Sequence, residues 1–80
     1  MREIDFELES GRDFVELNQL LKLCGLAGSG GEGKHLVASG AVTVDGAVEL
    51  RKTCKIRAGQ VVQVAGMRIH VEAMDADAGS

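Results

Sequence analysis

Asp45-Gly46 is the dipeptide that most constrains this chain, because it sits between two short stretches that both read as strand. Ala41-Val42-Thr43-Val44 precedes it and Ala47-Val48-Glu49-Leu50 follows. A two-residue connection of this kind requires positive φ at both central positions, which Asp and Gly tolerate. An antiparallel hairpin is therefore expected here, and the remaining elements must be arranged around it.

The period of the apolar residues differs on either side of that hairpin. Ile4, Phe6 and Leu8 alternate with Glu3, Asp5, Glu7 and Glu9, which predicts a strand with one buried face and one acidic, solvated face. Asp13 stands at an N-cap position with Glu16 three residues on, and Phe14, Leu17, Leu20, Leu21 and Cys24 follow at helical spacing. This spacing predicts a helix entered near Asp13 and ended by Gly25. Ser29 with Glu32 repeats the capping arrangement for a second helix, with Leu36 and Val37 on its apolar face and Ser39-Gly40 at its end. Gly30, Gly31 and Gly33 weaken that helix, so either packing holds it or the glycines admit another backbone closely.

Beyond the hairpin, Cys54 and Ile56 alternate with Thr53, Lys55 and Arg57. Ala58-Gly59-Gln60 turns the chain into Val61 to Ala65, Gly66 turns it again, and Met67, Ile69 and Val71 alternate with Arg68, His70 and Glu72. Together these elements predict one α+β domain over residues 1–73, with two short helices packed on a small, mostly antiparallel, hairpin-rich sheet. Residues 74–80 read as a flexible tail. Eighty residues leave no room for a second domain.

Charge is sorted along the chain. Between Ser29 and Arg57, the cations Lys34, Arg51, Lys52, Lys55 and Arg57 face only Glu32, Asp45 and Glu49, whereas the whole chain carries a net charge of −3. A sorted basic segment in an acidic chain predicts oriented contact with an anionic partner rather than indiscriminate polyanion binding. Arg51-Lys52-x-x-Lys55-x-Arg57, on and beside a strand, can follow a phosphate backbone. Phe6 and Phe14 are the only aromatics, so base stacking is not expected to dominate, and structured RNA read by shape and phosphate position fits better.

Other chemistries lack carriers. Gly28 to Lys34 fits the spacing G-x-x-x-x-G-K, but His35 stands where a Mg²⁺-binding hydroxyl is needed, and the preceding element reads as a helix rather than a strand. A weaker expectation survives, that the start of the second helix binds one RNA phosphate with help from Lys34. His35 and His70 have no Cys or acidic neighbours at metal-ligand spacing, and Cys24 and Cys54 lie outside any C-x-x-C pair, reading as reduced core residues. No metal, cofactor, small-molecule substrate or catalytic activity is expected. With neither a leader nor a long apolar run, the chain reads as a cytoplasmic monomer.

These residues resemble a known family. Leu20-Leu21-Lys22-Leu23, Gly25, Ser29, Lys34, Gly40-x-Val42-x-Val44-Asp45-Gly46 and Gly59 are similar to the S-four (alpha-L) RNA-binding domain, over about residues 17–64. That module is named after a ribosomal small-subunit protein and recurs in pseudouridine synthases, a bacterial tyrosyl-tRNA synthetase and a heat-shock protein that binds ribosomal subunits. Leu20-Leu21-Lys22-Leu23, Val44 to Glu49, Arg51-Lys52 and Cys54-Lys55-Ile56 also resemble its small stand-alone YbcJ-like subgroup.

The resemblance implies the alpha-L fold, binding of structured RNA such as ribosomal or transfer RNA, and association with ribosomes. It also implies an RNA-facing surface at Ser29, Lys34, Arg51, Lys52 and Lys55, with Lys22 added by the subgroup; the charge run extends the set to Arg57. Three positions depart from the wider family. Gly30 stands where an Arg is common, Gly33 where an Ala is usual, and Gln60 where an Asp often follows Gly59. Loss of the Arg implies one phosphate contact fewer. The alternative is a protein-interaction module whose basic patch docks an acidic protein.

Overall fold

A computed structural model describes residues 2–73, so the expected tail at 74–80 lies outside the described residues. The elements run β1 (Arg2–Glu7), β2 (Phe14–Glu16), α1 (Leu17–Leu23), α2 (Gly30–Ala38), β3 (Thr43–Val44), β4 (Ala47–Val48), β5 (Lys55–Arg57), β6 (Val61–Val64) and β7 (Met67–Glu72). Five strands form one sheet in the order β1-β7-β6-β3-β4, antiparallel except where β1 runs parallel to β7. A separate two-stranded ribbon joins β2 and β5.

Period-two patterning decides which way the sheet faces. Leu8, Val42, Val44, Val62, Val64, Ile69 and Val71 are buried on one side with Leu17, Leu20, Leu21 and Val37 of the helices and Ile56 of the ribbon. Each fully buried Leu, Ile or Val contributes about 1.5–3 kcal/mol of hydrophobic stabilisation, which is what a domain this small relies on. The acidic residues of β1 remain exposed on the other side. There Glu3 meets His70 of β7 at 2.6 Å and Arg68 at 3.3 Å. The His70 hydrogen bond holds the Glu3 carboxyl below its usual range.

The expected hairpin forms, with φ of 51° at Asp45 and 87° at Gly46. Its turn is tied to the sheet, because Asp45 Oδ1 accepts from the Val61 N–H at 3.0 Å and Gln60 Nε2 donates to Asp45 Oδ2 at 3.3 Å. Gln60 Oε1 also accepts from the Arg57 N–H at 2.8 Å. Gln60, one of the departures from the wider family, thus bridges the hairpin turn and the end of β5.

The first helix departs from expectation. Phe14, Val15 and Glu16 form β2, paired with Arg57, Ile56 and Lys55, and α1 begins only at Leu17. Asp13 is not its cap: Glu16 occupies the N-cap position without a side-chain hydrogen bond. Loop carbonyls take over, as the Leu17 N–H donates to Cys54 O at 2.9 Å and the Asn18 N–H to Lys52 O at 3.1 Å. Unpaired N–H groups in the first turn of a helix need acceptors, and a loop distant in sequence supplies them here. At the other end, Leu26 N–H to Leu21 O and Gly25 N–H to Lys22 O, with Gly25 at φ 79°, close the helix in a Schellman arrangement.

The second helix is capped as expected, by the Ser29 hydroxyl accepting from the Glu32 N–H at 3.2 Å. Gly33 is buried against α1: a Cβ there would lie 2.6 Å from the Asn18 carbonyl oxygen. The missing side chain is therefore what lets the two helices touch backbone to backbone.

Candidate nucleic-acid interface

The loop from Arg51 to Cys54 is shaped by local forces. The Cys54 N–H donates to Arg51 O at 3.2 Å, closing a turn that leaves Lys52 and Thr53 exposed at its tip. Its carbonyls are pinned to α1, and α1 is locked to α2 through Gly33, so Lys34 on α2 is carried to the same place. Lys34, Arg51, Lys52 and Lys55 line one open concavity of about 740 Å³, together with Thr53 and Cys54. Four cations from three elements thus converge although 21 positions separate the first from the last. One of the four, Arg51, is paired with an acid, Glu49.

Glu49 changes the role of Arg51. Its carboxylate accepts from Arg51 Nε at 2.9 Å, from Nη2 at 3.1 Å and from the Arg51 backbone N–H at 2.9 Å. These bonds from Arg51 hold Glu49 well below the ordinary carboxylate range, at about 2. The guanidinium is therefore neutralised and fixed in direction, with its remaining N–H groups still able to donate. Lys34, Lys52 and Lys55 supply the unneutralised charge of the concavity.

Lys55 and Arg57 alternate with the buried Ile56 on β5, so both project from the outer face of the ribbon. Phe14 shares that face, with Lys55 Nζ 4.9 Å and Arg57 Cζ 5.8 Å from its ring centroid. Ser29 is engaged in capping and lines a separate depression with His35 and Leu36. Beside it, Glu32 Oε1 accepts from the Gly28 N–H at 2.6 Å, placing a carboxylate where a phosphate at the helix start would have to approach. The expected single-phosphate site there is accordingly disfavoured by repulsion. Lys22 is exposed in the last turn of α1 and does not line the concavity.

The cysteines stand at the margin of the core, half-buried and free rather than fully enclosed. Burial pushes both thiols above their ordinary range. Neither is thereby activated as a thiolate nucleophile. Among the described residues no cluster of His, Cys, Asp and Glu could hold a metal ion, and no helix is long and apolar enough to cross a membrane.

The S4 domain family matches residues 6–72, well over half of the chain. The chain belongs to the S4 domain family. Within that family it is similar to YbcJ of Escherichia coli (strain K12), a protein described provisionally as RNA-binding, with 56% identity over 59 residues that cover 74% of this chain and 84% of YbcJ. YbcJ of Shigella flexneri, which is uncharacterised, matches with the same identity and coverage. The solution structure of E. coli YbcJ, reported to reveal an alfaL motif involved in RNA-binding, superposes with a TM-score of 0.66 at 51% identity, over 86% of each chain. The α+β architecture and the YbcJ-like alpha-L resemblance are thus both borne out. Within this S4 domain, the close backbone approach that the helix glycines allowed for is made at Gly33, whereas the Glu49 clamp on Arg51 was missed by sequence reasoning. The clamp had a faint signal in the i, i+2 spacing of opposite charges beside a turn.

Proposed function

We propose that this protein binds structured RNA without catalysing a reaction on it, with Lys34, Lys52 and Lys55 tracking successive phosphates across the concavity. Arg51, aimed by Glu49, adds donors to the same surface, and Arg57 extends it along the ribbon. Lys22 and Ser29 are left at its periphery. The observation that carries the reading is the convergence of Lys34 with the Arg51–Lys55 loop, on a chain whose other large face is acidic. Membership of the S4 domain family and the RNA-binding description of YbcJ support it. Ribosomal or transfer RNA is the proposed class of target, bound by a monomer in the cytoplasm, because phosphate tracking with so few aromatics suits folded RNA.

The test is binding of a fluorescent hairpin RNA across a salt series by wild type and by a Lys52→Glu/Lys55→Glu variant shown to be folded. Neutralising three to four phosphates predicts a log–log slope of about −3 to −4, taking the duplex coefficient as guide. The double variant is expected to lose at least about 100-fold in affinity. Binding that is flat in salt, or equal in both proteins, would defeat the reading. Salt-dependent binding of an acidic protein by wild type and not by the double variant, with no salt-dependent binding of RNA, would favour the protein-docking alternative.

A further inference from the structure

Phe14 is an aromatic residue that the core does not use. Its expected place was the inner face of a helix; instead it projects half-buried from the outer face of the ribbon, and it is absent from the hydrophobic cluster that takes up its neighbour Val15. Lys55 and Arg57 lie over its ring at 4.9 and 5.8 Å. The ring also borders a cleft of about 310 Å³ whose walls include Phe6, Leu8 and Leu23, with Glu9 and Arg12 among the polar groups. Leu23 is one of the few large apolar side chains left open to solvent, at 62% exposure.

This cleft is apolar with a few polar groups, of a size suited to a small planar ligand. Phosphate is disfavoured inside it, because Glu7 and Glu9 line it as well. An uncharged aromatic ring meets no such repulsion, and Glu9 can accept from an exocyclic amine while Arg12 donates to a ring carbonyl. Lys55 belongs both to the Phe14 cluster and to the phosphate-tracking concavity, so the two surfaces are continuous.

We propose that the Phe14 cleft captures one unpaired nucleobase of the bound RNA by stacking, while Lys55 and Arg57 hold the phosphates that flank it. The proposal rests on the RNA-binding reading and deepens it: the preferred ligand becomes a duplex that ends in an unpaired nucleotide, rather than a blunt helix. Stacking on an aromatic residue of this kind is worth a factor of about 5 to 100 in affinity.

The test compares two RNA hairpins with the same stem, one blunt and one carrying a short single-stranded overhang with 2-aminopurine. They are titrated into wild type and Phe14→Leu, which keeps apolar bulk and removes the ring. Wild type is expected to prefer the overhang RNA about 5- to 100-fold and Phe14→Leu to lose that preference. Because the chain has no Trp or Tyr, 2-aminopurine emission can be followed without interference. It should fall on binding to wild type, a readout that holds even if Phe14→Leu fails to fold. Equal affinity of wild type for the two RNAs, a preference retained by folded Phe14→Leu, or unchanged 2-aminopurine emission in the complex would each overturn the proposal. Failure of wild type to bind either RNA would overturn the RNA-binding reading itself, and this proposal with it.

Discussion

The two large faces of this domain are built by different means and carry opposite charge. On the outer face of the five-stranded sheet, Glu3, Asp5 and Glu7 project by simple alternation from one continuous strand, and the Arg68 and His70 of the adjacent strand offset only Glu3. On the other side, Lys34, Lys52 and Lys55 come from a helix, a loop and a ribbon strand, brought together by two backbone-level contacts. One face therefore follows from local sequence, and the other exists only when the tertiary structure is intact. The contrast also accounts for a net charge of −3 on a protein proposed to bind RNA. Repulsion from the acidic face disfavours wrong orientations of approach, while the basic face does the binding.

The largest expected way to break this contrast is Gly33→Ala. A Cβ 2.6 Å from the Asn18 carbonyl must push α2 away from α1, at a cost of about 1–3 kcal/mol, read as a lower urea midpoint with unchanged slope. RNA affinity should fall beyond any stability effect, because Lys34 moves with the helix, whereas the Glu3–His70 contact on the acidic face should survive.

Next in size is the titration of Glu49. Its folded value lies below the ordinary 4.5, at about 2, because Arg51 hydrogen-bonds the charged form. The resulting stabilisation is thus fully present above about pH 4.5 and is lost as pH falls through about 2. NMR of the carboxyl carbon should show that low midpoint in wild type and its return toward 4.5 in Arg51→Gln. A midpoint that does not move would remove the clamp from the account.

Glu49→Gln sharpens the comparison from the other side. Freed of its counter-charge, Arg51 should add about one phosphate contact, steepening the log–log salt slope by about 1 and raising affinity a few-fold at low salt. Smallest of all should be Asp5→Asn on the acidic face. That carboxylate projects from the sheet face opposite the core, and screening at physiological salt acts over about 8 Å. The change in RNA affinity should stay below about twofold at that salt, and a larger one would mean that RNA reaches both faces.

How much of this was legible in the sequence follows the same division. Alternation in β1, the Asp45-Gly46 hairpin and the Ser29 cap are decided by a few adjacent residues, and each could be read directly. The strand at Phe14–Glu16 could not, because three residues at helical spacing carry no strand period of their own. They are extended because Arg57, Ile56 and Lys55, some 40 positions away, offer backbone partners. The true cap of α1 was hidden for the same reason, being made by Lys52 and Cys54 carbonyls. The cations of the candidate site were visible as a charge run, but which of them converge depends on the close approach at Gly33. Lys22 was carried by resemblance alone and stands apart. Arg51 shows a further limit: a charge run counts cations, and cannot show that one is already paired.

The most direct test of the account is amide NMR of this 8.4 kDa chain during titration with a hairpin RNA at low salt. The account predicts that Lys34, Lys52, Thr53, Lys55 and Arg57 shift in a salt-dependent manner while Glu3 and Asp5 stay in place. Shifts concentrated on β1 and β7, or none at any RNA concentration, would contradict it.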